Sequence, residues 1–160
     1  MRIGVVSDTH GSVENAHLAV RMLESLEVDE LLHCGDIGSP EVIEQFAAWP
    51  THYVLGNCDY DPVALESAAG SQGQDFCGQF GDLELGGVRV ALLHSNDQRR
   101  FDAAVRSGDY RLVCYGHTHI AKQEIVGGTL VLNPGALYRA NPYSIAIVEL
   151  PSAEATIITL

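Results

Sequence analysis

The apolar residues of this 160-residue chain come in short runs that stop abruptly at polar ones. "RIGVVS" (2–7) ends at Asp8, "ELLHC" (30–34) at Gly35-Asp36, and "HYVLG" (52–56) at Asn57. The runs are continuous rather than alternating, which is the pattern of strands covered on both faces. Between them the period lengthens. Val13, Ala16, Ala19, Val20, Leu23 and Leu26 recur at helical spacing over 12–27, with Ser12 as N-cap and Asn15 where a capping-box glutamate would stand. "SPEVIEQFAAW" (39–49) offers Ser39 as N-cap and Pro40 in the first turn, a strong helix start. The first third therefore reads strand, helix, strand, helix, strand, the alternation of an α/β fold.

Periodicity is weakest over 60–80. A short helix at "DPVALESAA" (61–69) gives way to a Gly/Gln-rich loop, "GSQGQDFCGQ" (70–79). Beyond it, "DLELGGVRVALLH" (82–94) reads as a hairpin turning at Gly86-Gly87, followed by a helix over 98–107 and the strand "RLVCY" (111–115). The C-terminal part, "KQEIVGGTLVLNPG", "YSIAIVEL" and "EATIITL", reads as antiparallel strands. No repeat or break in composition marks a linker, so 1–160 reads as a single domain, long enough to bury a core without disulfides.

Composition narrows the function classes. A hydrophobic fraction of 46% is that of a globular chain. The N-terminus turns polar too soon for a signal peptide, and no apolar segment approaches membrane-spanning length, so a cytoplasmic protein without a membrane partner is expected. The net charge of -12 argues against tight binding of long nucleic acid, which needs a basic footprint. Small phosphorylated ligands stay open if a local cation offsets the global field. The four cysteines form no C-x-x-C pair and read as reduced thiols, with Cys34 and Cys114 as small buried hydrophobes.

The strand ends carry the chemistry. Asp8 and His10 follow the first strand, Asp36 the second and Asn57 the third, while His94 closes "VALLH" and His117 and His119 close the run at 111–115. In α/β sheets ligands gather beyond the carboxyl ends of the strands, so these residues are expected on one rim. His17, His33 and His52 fall elsewhere and read as structural, one on a helix surface and two within strands. Mixed carboxylate, imidazole and amide donors suit Mn²⁺, Fe²⁺, Zn²⁺ or Ni²⁺ better than a structural zinc or calcium site. Seven donors exceed what one such ion takes from a protein. Two ions sharing a bridging aspartate use them sensibly, and two divalent charges against two carboxylates leave a cationic pocket for a phosphate ester.

In that order, "DTHGS", "HCGDI", "GNCD", "LLHS" and "GHTH" resemble the motif series of the calcineurin-like metallophosphoesterases, and the small size and the Cys in "GNCD" resemble their compact YfcE-type phosphodiesterase branch. The resemblance spans nearly the whole chain. It implies a four-layer α/β/β/α sandwich of two mixed sheets flanked by helices. It also implies one metal on Asp8, His10, Asp36 and His119, and a second on Asp36, Asn57, His94 and His117, with Asp36 bridging. Manganese is the leading choice, with iron, zinc or nickel also suited. The activity implied is hydrolysis of a phosphodiester by a metal-bridging hydroxide, with Asp36, Asn57 and His94 at the centre of the chemistry. Homo-oligomers are common in the family, and the partner otherwise expected is a small phosphate-ester substrate.

Three departures bear on mechanism. Cys58 stands where many relatives have a His that protonates the leaving oxygen, which points to water as the acid or to esters with good leaving groups. Asp59 orients the loop or a water, or simply caps a turn. After His94 the chain reads "SNDQRR", a segment that with 60–80 would shape substrate choice and form a small lid; in "NPGALYR" Ala136 replaces the usual Ser. Arg99, Arg100 and Arg139 are candidates to grip a substrate oxygen, or solvated surface cations. Two other readings use the same fold: a phosphomonoesterase or nucleotidase, and a non-catalytic scaffold of the retromer-subunit type. A scaffold has a degraded site, whereas all seven positions are filled here.

Overall fold

Every inner strand has an apolar neighbour on each side, and this explains the continuous runs. In the computed structural model, which describes residues 1–160, the chain begins β1 (Arg2–Val6), α1 (Val13–Ser25), β2 (Glu30–His33), α2 (Pro40–Gln45) and β3 (Thr51–Tyr53). It continues through α3 (Pro62–Ser71), β4 (Asp75–Phe76), β5 (Phe80–Leu85), β6 (Val88–Leu93), α4 (Gln98–Ser107) and β7 (Leu112–Cys114). The remainder is β8 (Lys122–Val126), β9 (Thr129–Asn133), β10 (Ser144–Glu149) and β11 (Glu154–Thr159). One sheet has the order β11-β10-β1-β2-β3-β4 and the other β5-β6-β7-β9-β8. Within the first, β1 to β4 are parallel, and β10 joins β1 antiparallel. Within the second, β6, β7 and β9 are parallel between antiparallel edge strands.

Strand alternation sorts the side chains into three cores. Ile3, Val5, Leu32 and Val54 meet Leu92, Leu112 and Leu132 between the sheets. On the outer face of the first sheet, Val6 and Leu31 pack against Ala16 and Leu23 of α1, Val42 and Ile43 of α2 and Leu65 of α3. On the outer face of the second, Ala91, Val113 and Val131 meet Ala104 and Phe101 of α4. The result is the expected α/β/β/α sandwich. Three of its four helices start at side-chain caps, with Ser12, Asp61 and Asp97 accepting from the backbone N–H of Asn15, Ala64 and Arg100, whereas Ser39 heads α2 without a side-chain capping hydrogen bond and Pro40 follows it.

The structure departs from the sequence reading in three places. The second helix stops at Gln45, because the chain tightens into three-residue turns (Ala47 N–H to the Glu44 carbonyl, Trp49 N–H to that of Phe46) before Pro50, which disfavours helix in the residue preceding it. The loop at 70–79 contains β4, two residues that pair with β3 through His52↔Asp75 and Tyr53↔Phe76. The C-terminal strands do not form one antiparallel set. β8 and β9 complete the second sheet, and β10 and β11 complete the first.

Leu32 lies fully buried between the sheets, so Leu32→Ala should leave a cavity with apolar walls. Urea unfolding should show a loss of about 2–5 kcal/mol with an unchanged m-value. A loss under about 1 kcal/mol would mean that the two sheets are not packed through this position.

Candidate metal centre

The carboxyl ends of β1, β2, β3, β6 and β7 deliver their polar residues to one rim. Turning the chain there requires left-handed backbone at residues other than glycine: Asp8 (φ +54°), His10 (+45°), Asp36 (+52°), His117 (+73°) and His119 (+58°). Such conformations are costly for residues with a Cβ and persist where neighbouring contacts fix them. Their concentration at these residues is the first sign that the rim is built for a purpose.

The side chains converge. His10 Nε2 lies 3.3 Å from His119 Nε2, 3.4 Å from Asp36 Oδ2 and 3.8 Å from Asp8 Oδ1. Asp8 Oδ1 lies 3.1 Å from His119 Nε2 and 4.0 Å from His94 Nε2, and His94 Nε2 lies 3.2 Å from Asp36 Oδ2. Asp8 Oδ1 and His94 Nε2 are both buried and make no aligned hydrogen bond. Unpaired buried polar atoms are expensive, and these two point into the same cluster of donors. The donor set fits divalent cations: Asp8, His10 and His119 form one group, Asp8, Asp36 and His94 a second, and His10, Asp36 and Cys58 a third.

Each donor is held from behind. His94 Nδ1 donates to the Cys34 carbonyl at 2.8 Å, which leaves the Nε2 lone pair facing the rim. Asp8 Oδ2 accepts from Ser7 Oγ at 2.5 Å and from the His117 N–H at 3.1 Å, so Oδ1 is its free oxygen. Burial opposes the charge on Asp36. The His94 imidazole and the Cys58 N–H, 2.7 Å from Oδ1, outweigh it and bring the carboxyl to about 2, ionised at neutral pH. Burial also opposes a charge on His94, but the Asp36 and Asp8 carboxylates prevail and raise its pKa. Gly116 is required by close approach, since a Cβ there would collide with Ser7 Oγ and lie 2.7 Å from Asp8 Oδ2.

Comparison with known proteins agrees with this geometry. The calcineurin-like phosphoesterase superfamily domain matches residues 1–153. The chain belongs to that superfamily. It is thereby a phosphoric ester hydrolase by family. The phosphodiesterase MJ0936 of Methanocaldococcus jannaschii is 32% identical over 138 residues, 84% of this chain and 83% of that protein. The probable metallophosphoesterase YsnB of Bacillus subtilis is 29% identical over 167 residues, 96% of this chain and 88% of that protein. A solved archaeal phosphodiesterase superposes with a TM-score of 0.92 at 30% identity, with 100% of both chains covered.

Within this calcineurin-like site, not every residue singled out in the sequence sits alike. Asp8, His10, Asp36, His94 and His119 form the converging cluster. Asn57 and His117 reach the rim but stay exposed: Asn57 Nδ2 donates to Cys58 Sγ at 3.4 Å, and the His117 ring stands edge-on to His94 with centroids 5.1 Å apart. Asp59 accepts from Gly38 N–H in one loop and from Gly56 N–H in its own turn, at 2.8 Å each. In "SNDQRR", Asp97 caps α4 and Arg100 lines an outer groove with Phe80 and Tyr110. Arg99 is an exposed residue of α4, and Arg139 lies over the Tyr138 ring, which sits tilted with its centroid 5.0 Å from that of His10.

The supporting roles of Ser7, Asn133 and His33 were not legible in the sequence, although His33 opens "HCGDI" and Asn133 opens "NPGALYR", because their partners come together only in the fold. Asn133 Nδ2 donates to the Gly116 carbonyl (2.9 Å) and to Thr118 Oγ1 (3.1 Å), bracing the loop that carries His117 and His119. His33 does more than fill a strand. Its Nε2 donates to Thr9 Oγ1 at 3.0 Å while Thr9 donates to the Ile37 carbonyl, and its Nδ1 accepts from the Gly35 N–H.

Burial, aided by the neighbouring His94, lowers the His33 pKa from 6.5 to about 3. Unfolded, the residue takes a proton near its usual 6.5; folded, it does so only near 3. Acidification through that interval therefore favours the unfolded chain, and the stability tied to neutral His33 is present above 6.5 and lost progressively toward about 3. By NMR its ring resonances should stay flat from pH 8 to 5, and an inflection near 6.5 would contradict the buried, hydrogen-bonded arrangement.

Proposed function

We propose that this chain is a dinuclear-metal phosphodiesterase acting on a small ester. The observation that carries the reading is the convergence of Asp8 Oδ1 and His94 Nε2, both buried and unpaired, with Asp36, His10 and His119. Similarity to a protein named a phosphodiesterase supports the diester assignment.

Asp8, His10 and His119 would hold one ion with Asp36, and Asp36, His94, Asn57 and His117 the other, which makes Asp36 the shared ligand. Bound divalent ions, manganese first among them, supply Lewis-acid charge and bring the pKa of a coordinated water near neutrality. The chain's residues do the rest. Asp36 stays ionised, and His94 stays aligned through its bond to Cys34. Asn57 and His117, exposed at the rim, would complete the second ion's ligands and face the incoming phosphate. Cys58 offers only a weak S–H donor near the leaving group, so esters with good leaving groups are favoured. Beside His119 lies a cavity of about 220 Å³ bounded by Ile120, Ala140, Asn141, Pro142 and Ile157, with no lysine or arginine in its wall. This suits an uncharged alcohol portion, in keeping with a diester rather than a nucleoside polyphosphate.

Metal-stripped protein assayed with each ion against bis(p-nitrophenyl) phosphate and p-nitrophenyl phosphate tests the reading. Manganese should restore diester hydrolysis, and Asp36→Asn or His94→Ala should lower kcat by roughly 100-fold or more. Faster turnover of the monoester would favour the phosphomonoesterase reading. A folded chain that turns over neither ester and binds no Mn²⁺ would return it to the scaffold class.

A further inference from the structure

β8 is the outer strand of the second sheet, and every residue from Ala121 to Val126 is exposed. An exposed edge that includes Ile125 (64% exposed) and Val126 is a template for another strand. We propose that β8 pairs antiparallel with β8 of a second copy, about a two-fold axis through Gln123, to join the two five-stranded sheets into one.

The hairpin with β9 determines which groups are free. Val126 and Thr129 flank the two-residue turn Gly127-Gly128, both glycines at positive φ, and such flanking residues exchange both backbone hydrogen bonds. By alternation the backbone groups of Val126, Glu124 and Lys122 point to β9, while those of Ile125, Gln123 and Ala121 point outward. A partner strand must therefore pair through the odd-numbered residues, which limits the two-fold registers to a few.

Charge excludes two of them. An axis through Lys122 sets Lys122 against its own copy, and an axis through Glu124 does the same for Glu124. Both place like charges directly opposite one another. An axis through Gln123 pairs Gln123 with its copy and Ala121 with Ile125 through backbone hydrogen bonds. It sets Lys122 opposite Glu124 twice, at the closer, non-hydrogen-bonded positions. These two residues already form an ion pair within the strand, at 2.8 Å, so pairing would merge two such pairs into a four-charge cluster.

The inner face agrees with the same register. Ile125 borders a groove with Leu130, Ala153 and Ala155 at the open side of the sandwich. Bringing the copy's Ala121 against Ile125 extends this apolar surface. Ile120 (68% exposed) precedes β8 and borders the cavity beside His119. Ile120 directly follows His119, so the interface would abut the loop that carries two of the rim histidines.

The test is the mass of the full chain in solution, by light scattering and analytical ultracentrifugation, for wild type, Lys122→Glu, Glu124→Lys and the double swap. The wild type should be a dimer. Each single reversal should raise the dissociation constant by about tenfold or more, and the double swap should restore dimerisation. Gln123→Pro removes an outward N–H without touching the ladder to β9, and should give a monomer with wild-type circular dichroism. A monomeric wild type at high micromolar concentration, or a dimer indifferent to the single reversals, would overturn the proposal.

Discussion

Two carboxylates, Asp8 and Asp36, stand among imidazoles at a rim where two sheets meet, and the surrounding loops are bent to let them do so. Each carboxylate has one oxygen tied by backbone or hydroxyl donors and one turned inward. That division leaves one oxygen of each carboxylate facing the rim, which a closed salt-bridge cluster would not. If both oxygens of Asp8 were satisfied by the protein, burial would be cheap but nothing would remain for a cation. The left-handed turns at Asp8, His10, Asp36, His117 and His119 and the close approach at Gly116 all serve this one arrangement.

The charge of the whole chain and that of the site work in sequence. A net charge of -12 attracts divalent cations to the rim and repels phosphate from it. On the proposed reading, bound cations would reverse the local sign and let an ester approach a protein otherwise hostile to anions, so metal would bind before substrate. The scarcity of cationic side chains at the rim is consistent with this, since Arg100 points to an outer groove and Arg139 covers Tyr138 instead of reaching the cluster.

Much of this was legible in the sequence because the fold places its chemistry at strand ends. Asp8, Asp36 and His94 each terminate an apolar run, and such a boundary survives in a linear string. The helix over 98–107 was also legible, and in the structure Asp97 caps it and Gly108 ends it in the left-handed region. What sequence could not show was pairing across distance. β4 is too short to leave a period, and β9 is buried on both faces in a way that does not announce its parallel neighbour. Ser7, His33 and Asn133 act through partners that only the fold brings near. Cys58 shows the opposite case: its motif position suggested the leaving group, and its place with His10 and Asp36 appeared only in three dimensions.

The central claim is that the rim is shaped for two ions that share Asp36. Anomalous diffraction from crystals of the Mn²⁺-loaded protein tests it most directly. The account predicts two ordered peaks on either side of Asp36, one flanked by Asp8, His10 and His119 and the other by His94. A single peak, or none at the rim, would contradict it.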